Sequence, residues 1–192
     1  MEKHELYFYP KQSITLNDFD ANGLILDIAG GGEGVIAQLK EDQVIAIDKN
    51  VRELKEAPSG GLKLEMDASD LKFLNQSFNT VTIFFGLMYM PTSLHRKVLE
   101  EVLRVLKPGG LLHVWDFELK QPFVPDKKGF AFYLDVKLPD RLVQTGYGSP
   151  YPQDTHDLVY YQGLLEEVGF EIEEKSQAGM TFYLRAKRPT AA

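Results

Sequence analysis

The sequence contains no cysteine. This absence excludes a disulfide framework and a thiolate metal site, and it favours a reducing compartment. Residues 2–5 are polar, and no apolar stretch approaches the ~20 residues that span a bilayer. We therefore expect a cytoplasmic protein without a signal sequence or a membrane anchor.

Positive charge is also scarce. The net charge is −7, and the basic residues form no cluster beyond Lys127 and Lys128. A surface of this sign repels phosphate backbones, so we expect no nucleic-acid partner, and we predict no metal site. Hydrophobic residues make up 44% of the chain, which is ordinary for a folded domain that acts on small molecules or on protein.

Glycine, in contrast, is concentrated in one stretch, "LILDIAGGGEGVIAQLK" at residues 24–40. An apolar strand pattern ends there in Gly30, Gly31, Gly32 and Gly34. Each glycine costs about 0.5–1 kcal/mol relative to alanine in regular structure. The run therefore predicts that something lies very close to the main chain, although a plain tight turn is an alternative.

Strand and helix patterns alternate along the chain. Apolar runs predict strands at 24–29, 44–47, 62–66, 81–85 and 111–117, and a final hairpin at 170–174 and 181–187. Amphipathic patterns predict helices at 35–39, 51–57, 94–106 and 158–168, the last capped by Asp154 or Thr155. The alternation predicts an α/β fold: a doubly wound, mostly parallel seven-stranded sheet with an antiparallel final strand and helices on both faces.

Residues 118–154 interrupt this rhythm, since they hold five of the ten prolines. Strand patterns at 130–138 and 142–147 predict a hairpin inserted after the fifth strand, as a cap over the crevice of a single domain, 1–192. Its exposed aromatic strands are equally a candidate homodimer contact.

Three acids follow successive strands: Asp27, Asp48 and Asp67. Ligands of open parallel sheets bind in the crevice beyond the carboxyl ends of the strands, where these side chains would meet. Asp48 lies 18 residues after Gly30, where an acid can accept both hydroxyls of a ribose. The row fits a nucleoside with a carboxylate-bearing tail, although Asp48 alone could be a helix cap.

An ordered set of motifs spans residues 22–116: "LILDIAGGGEG", "AIDKN", "MDASDLKF", "FNTVTIFFGLMYM" and "EVLRVLKPGGLLHVWDF". The terminal "GFEIEEKSQAGMTFYLRAKR" completes it. The set resembles the class I S-adenosylmethionine-dependent methyltransferases. The resemblance implies a Rossmann-like fold and transfer of a methyl group to an acceptor, which the aromatic residues of 6–10 and 118–154 suggest is a small, partly apolar molecule.

The resemblance also implies that S-adenosylmethionine is the cofactor, bound by Asp27, Ala29, Gly30, Gly31, Gly32, Gly34, Asp48, Lys49, Asp67, Ala68, Phe85, Gly86 and Leu87. By analogy the glycines lie under the methionine part and Asp27 holds its ammonium group. Asp48 takes the ribose hydroxyls and Asp67 the adenine amino group. Ala29 and Gly31 are the alternative register of the glycine motif.

Methyl transfer from a sulfonium needs an in-line approach at about 3–3.5 Å more than it needs acid–base help. Where a base is used, the candidates are Asp116 after the fifth strand, Tyr89 after the fourth and His156 before the last helix. His95 lies in an amphipathic helix and is predicted to be a surface residue.

Two alternatives stay open. Asn79 stands where the family commonly has an acid, and the sequence has no sharp acid–base motif. Both observations motivate a non-catalytic sensor or partner subunit that binds the same cofactor. A nicotinamide dehydrogenase would need a glycine five residues after the first. From Gly30 that position is Val35, so this reading fits poorly.

Overall fold

The computed structural model describes residues 2–190 of the chain. Its helices are α1 (Val35–Lys40), α2 (Val51–Glu56), α3 (Thr92–Val105) and α4 (Leu158–Val168). Its strands are β1 (Leu6–Phe8), β2 (Gln12–Thr15), β3 (Ile25–Ile28), β4 (Val44–Asp48), β5 (Leu62–Glu65), β6 (Phe78–Phe84), β7 (Leu106–Phe117), β8 (Gly129–Lys137), β9 (Leu142–Pro150), β10 (Glu171–Ala178) and β11 (Thr181–Lys187).

The main sheet has seven strands in the order β10-β11-β7-β6-β3-β4-β5. Strands β3 to β7 are parallel to one another, whereas β11 is antiparallel to both β7 and β10. The central strand β3 is buried along its whole length because helices and a second sheet cover its two faces. The predicted α/β fold is confirmed, including the antiparallel final strand.

One face of the sheet is covered by α3 and α4. The α3 residues Val98, Leu99 and Val102 are buried and belong to the same core cluster as Leu112 and Val114 of β7. Within residues 2–190 no helix has the length and apolar content needed to cross a membrane.

The predicted cap of α4 was wrong. The Asp157 carboxylate accepts a hydrogen bond from Tyr160 N at 2.9 Å, so Asp157 occupies the position assigned to Asp154 or Thr155. A cap must reach the N–H groups of the first turn, and only the residue directly before Leu158 is near enough. The helix ends at Gly169, whose φ of 111° is in the left-handed region.

The inserted hairpin belongs to a second, four-stranded sheet. Strands β8 and β9 pair antiparallel, and β1 and β2 both pair parallel with β8. The hairpin was predicted, but its N-terminal partners were not. Phe132 of β8 stacks on Phe117 of β7, with ring centroids 4.0 Å apart, so this sheet packs on the face opposite α3.

Candidate active site

A cleft of about 750 Å³ opens at the carboxyl ends of β3, β4, β5 and β6. This volume lies within the range of small-molecule and cofactor sites. Among its lining residues are many that the sequence singled out: Ala29, Gly30, Gly31, Gly32, Gly34, Asp48, Lys49, Asp67, Ala68, Phe85, Gly86 and Tyr89. The cleft is thus built where the strand-end acids predicted a ligand.

The glycine loop is crowded by the protein's own side chains. A Cβ on Gly31 would lie 2.5 Å from the Cβ of Glu53 and 2.9 Å from Asp48 Oδ2. A Cβ on Gly30 would lie 2.5 Å from Asp27 Oδ2. The groups that lie close to the glycine loop, as the sequence indicated, therefore include α2 and two of the acids. The other side of the loop is exposed to the cleft.

Two non-glycine residues have left-handed backbones at the floor of the cleft. Ala29 follows β3 with φ 58°, and Phe85 follows β6 with φ 51°. Each conformation costs roughly 1–2 kcal/mol. Phe85 N donates to Trp115 O at 2.8 Å, and a Cβ on Gly86 would lie 2.8 Å from that of Ala29. The two strand ends are thus packed tightly together, and such strain is typical of ligand sites.

Asp48 and Asp67 face the same cleft from neighbouring strands. Asp48 Oδ1 accepts from Asn50 N at 2.7 Å, and the cap of α2 is the Asn50 side chain, which accepts from Arg52 N. The alternative that Asp48 caps this helix is therefore wrong. Hydrogen bonds from Ser69, and then from Lys49 Nζ, lower the pKa of Asp67 to about 2, so this carboxylate is ionised.

Asp27 lies beneath the floor and does not line the cleft. It is 1% exposed, and its Oδ1 accepts from Thr82 Oγ1 at 2.6 Å. Burial raises the pKa of Asp27 to about 7, against the opposing hydrogen bond from Thr82. Its side chain supports Gly30, and any contact with a ligand would pass through the loop above it.

Two acids that the sequence analysis missed line the cleft, Glu33 and Glu53. Burial, followed by the charges of Glu56, Asp48 and Glu33, raises the pKa of Glu53. Glu33 could have been found, because it lies inside the glycine run. Glu53 could not have been found from the sequence, because only the folded turn between β4 and α2 brings it to the glycine loop. Together with Asp48 these groups make the cleft strongly acidic.

The second sheet forms the other wall. Tyr147 of β9 stacks on Phe85 with ring centroids 5.1 Å apart and planes 6° apart. Gly148 N donates to the Tyr89 hydroxyl at 3.2 Å, and Thr145 Oγ1 donates to Glu33 Oε1. The hairpin therefore contacts both the turn after β6 and the glycine loop, and it closes the cleft with aromatic rings.

Of the three candidate bases, only Tyr89 lines the cleft. Burial raises the pKa of Tyr89 to about 12, so it is protonated at neutral pH. Burial lowers the pKa of His156 to about 4, and its Nε2 pairs with Thr92 Oγ1 at 2.8 Å, away from the cleft. The placement of His156 in the crevice is therefore not supported.

Asp116 does not line the cleft either. Its carboxylate is fully buried and accepts from Leu87 N, Met88 N and Phe117 N. It shares the face of β7 that α3 and α4 cover, and there it lies under the turn that includes Leu87. Leu87 is likewise buried in the core and turned away from the cleft.

His95 was predicted at the surface, and that prediction was wrong. It is fully buried, and its Nε2 lies 3.1 Å from both Leu87 O and Met90 O. The helical spacing His95, Leu99, Val102 is the signal that was overlooked, since all three residues face the sheet.

Known proteins resemble this chain in sequence and in fold. The family described as a methyltransferase domain matches residues 26–114, which span β3 to most of β7. A demethylmenaquinone methyltransferase from Clavibacter sepedonicus is 43% identical over 74 residues, covering 38% of this chain and 29% of that protein. The ubiquinone/menaquinone biosynthesis C-methyltransferase UbiE of Photorhabdus laumondii is 29% identical over 179 residues, covering 79% of this chain and 70% of that protein.

Among solved structures, a SAM-dependent methyltransferase from Methanosarcina mazei superposes with a TM-score of 0.64 at 20% identity. The match covers 90% of this chain and 95% of that one, and it shows the shared fold. Motif order, sheet order and sequence relatives therefore lead to one result: residues 26–114 carry a methyltransferase domain, and the chain has the fold of the S-adenosylmethionine-dependent methyltransferases, whose cofactor is S-adenosylmethionine.

Proposed function

We propose that this chain binds S-adenosylmethionine along the β3–β5 side of the cleft and transfers its methyl group to a small, partly apolar molecule held under the hairpin of residues 118–154. One observation carries the proposal. A single cleft joins the strand-end carboxylates Asp48 and Asp67 to an aromatic wall of Phe85, Tyr89 and Tyr147.

The donor side matches the charge of the cofactor. S-adenosylmethionine carries a sulfonium and an ammonium group, and Glu33, Asp48 and Glu53 supply negative charge around the glycine loop. In this proposal Asp48 accepts from the ribose hydroxyls, and Asp67, beside Ala68, accepts from the adenine amino group. Lys49 holds Asp67 in place through the 3.0 Å ion pair.

The acceptor side offers rings and one hydroxyl. The Tyr89 oxygen accepts from Gly148 N, so its proton is available to donate to an acceptor oxygen. With its high pKa, Tyr89 orients the acceptor rather than taking its proton. The names of the relatives, which refer to menaquinone and ubiquinone, support a ring-shaped small molecule.

The cofactor supplies an activated methyl group when it is bound. The chain's own part is to align the acceptor with that group, to exclude water under Tyr147, and to bind the positively charged donor beside the acids of the glycine loop. One of the two motives for the non-catalytic alternative is removed, because Asn79 Nδ2 donates to Asn22 O at the amino end of β6, the end away from the cleft.

The test is calorimetric titration with S-adenosylmethionine and S-adenosylhomocysteine. Asp48→Ala removes two charged hydrogen bonds to the ribose, and we expect the Kd to rise by about 30-fold or more. Asp42→Ala, an exposed acid outside the cleft, is the matched control and should bind like the wild type. Unchanged affinity of Asp48→Ala would overturn the assignment of the donor side.

The acceptor class is tested with methyl-labelled cofactor. Reduced 1,4-naphthoquinone and a basic peptide are offered in parallel, and we expect label in the naphthoquinol alone. Label in the peptide alone would refute the small-molecule acceptor. The cytoplasmic location and a homodimer through residues 118–154 stay predictions.

A further inference from the structure

The turn after β6 forms part of the cleft wall. Its helical residues are Leu87–Tyr89, and Tyr89 and Met90 face the cleft. The first N–H groups of a short helix have no partner within it. Here Asp116 Oδ2 accepts from Leu87 N at 3.0 Å and from Met88 N at 3.2 Å. A side chain of β7 therefore caps this turn from below.

A second side chain holds the same turn through its carbonyl groups. His95 Nε2 lies 3.1 Å from Leu87 O and 3.1 Å from Met90 O. Both partners are acceptors, so Nε2 carries the hydrogen, and Nδ1 accepts from the Tyr160 hydroxyl at 3.0 Å. Burial lowers the pKa of His95, in agreement with this neutral ring.

Packing alone does not favour a carboxylate at the Asp116 position. The group is fully buried, and its negative charge is compensated by hydrogen bonds from backbone N–H groups rather than by a cation. A buried charge of this kind is costly compared with an apolar side chain. What the carboxylate provides is two acceptor oxygens, one for Phe117 N of its own strand and one for the turn.

We propose that Asp116 and His95 are positioning residues, which clamp residues 87–90 from the N–H side and the carbonyl side and so fix Tyr89 in the wall that receives the methyl acceptor. Their importance for methyl transfer rests on the function proposed above. The clamp itself is a property of the free protein and can be measured without any ligand.

The first experiment is hydrogen–deuterium exchange of the full chain, followed on peptides that cover 85–90. Asp116→Asn replaces one of the two acceptor oxygens by an NH2 group, so the turn and Phe117 N compete for a single acceptor, and His95→Phe keeps a ring but removes the donor. Both should speed exchange in this segment by about tenfold or more and leave peptides of β3 and β4 unchanged. Equal acceleration throughout the chain would overturn the clamp, as would no acceleration at 85–90.

Two matched variants separate the clamp from a general loss of packing. Glu118→Gln changes another buried acid at the end of β7, one that contacts Leu158 N and Gln177, and it should leave 85–90 unchanged. His95→Gln retains an N–H donor and should restore most of the protection lost in His95→Phe. If His95→Gln behaves like His95→Phe, the carbonyl side of the clamp is refuted. The comparison of His95→Gln with His95→Phe tests the clamp even where Asp116→Asn does not fold.

The second experiment measures methyl transfer to reduced 1,4-naphthoquinone. A misplaced Tyr89 should lower kcat by about tenfold in Asp116→Asn and His95→Phe, with the KM for S-adenosylmethionine changed less than about threefold. Equal loss through KM for the cofactor would refute a role in placing the acceptor. If the wild type neither binds nor uses the cofactor, the proposed function fails, and the exchange result for the turn stands by itself.

Discussion

The two halves of the cleft are built in different ways. The donor half consists of the glycine loop after β3 and of acids at the ends of β4 and β5, and its surface is defined by charge and by main-chain geometry. The acceptor half consists of rings from β9 and from the turn after β6, and its selectivity rests on shape. Under the proposed function, this difference means that one fold would keep a fixed cofactor site while a separate second sheet would select the acceptor.

Each half also has one buried carboxylate beneath it, Asp27 under the donor half and Asp116 under the acceptor half. The largest effect that we predict concerns this pair. Burial raises the pKa of each from 3.8 to about 7, so the folded protein binds more protons than the unfolded chain between about pH 4 and pH 7. These two carboxylates should therefore lower the free energy of unfolding as the pH rises through this window, whereas His113 and His156, whose pKa values burial lowers to about 4, contribute a change of the opposite sign.

At about 1.4 kcal/mol per pKa unit, each carboxylate should lower stability by roughly 2 kcal/mol between pH 5 and pH 8. Asp67 has a lowered pKa of about 2, and its contribution is lost only below about pH 4, outside the window. Urea unfolding at both pH values measures the change. Asp27→Asn should remove the share of this one carboxylate, so that its stability at pH 8 relative to pH 5 exceeds that of the wild type by roughly 2 kcal/mol, and a pH dependence that persists unchanged in this variant would contradict the assignment.

The next prediction breaks the donor half alone. Gly31→Ala places a Cβ 2.5 Å from the Cβ of Glu53 and forces α2 away from the loop. We expect the Kd for S-adenosylhomocysteine to rise by about 30-fold, which corresponds to roughly 2 kcal/mol. Gly163→Ala is the control, because nothing lies within 4 Å of its Cβ, and it should stabilise α4 by ~0.5–1 kcal/mol. Wild-type affinity in Gly31→Ala would show that the loop can shift freely.

A third prediction breaks the acceptor half alone. Tyr147→Ala removes the ring that stacks on Phe85 and should lower methyl transfer to reduced 1,4-naphthoquinone by about tenfold, with unchanged affinity for S-adenosylhomocysteine. Tyr133→Ala, on the exposed side of the same hairpin, should do neither. A loss of cofactor affinity in Tyr147→Ala would mean that the two halves are not separate.

The same division decides what the sequence could predict. The donor half was readable because each acid lies next to the end of its strand, and because a parallel sheet brings such ends together. The parallel direction of most strands in the main sheet follows from the alternating pattern in the same way. These inferences need only local sequence and one rule of topology.

The acceptor half needed contacts that are distant in sequence. Strands β1 and β2 have three and four residues and gain their partner β8 more than 100 residues later, so no periodicity indicated them. Asp116 was expected to point into the crevice, but the unpaired N–H groups of the turn at 87–88 draw it underneath. N–H groups that need an acceptor at this place exist only once the backbone has folded into the turn.

The smallest predicted effect concerns the contact that joins the two halves. Thr145 Oγ1 of β9 donates to Glu33 of the glycine loop, so loop and hairpin are linked by one charge-assisted hydrogen bond. Thr145→Val keeps the shape and should lower kcat/KM for naphthoquinol by about threefold, whereas Thr145→Ser should retain wild-type activity. In a double-mutant cycle with Glu33→Gln we expect a coupling of about 1 kcal/mol, since the pair is in direct contact. Strict additivity of the two substitutions would show that the hairpin closes the cleft by ring packing alone and is not energetically coupled to the glycine loop.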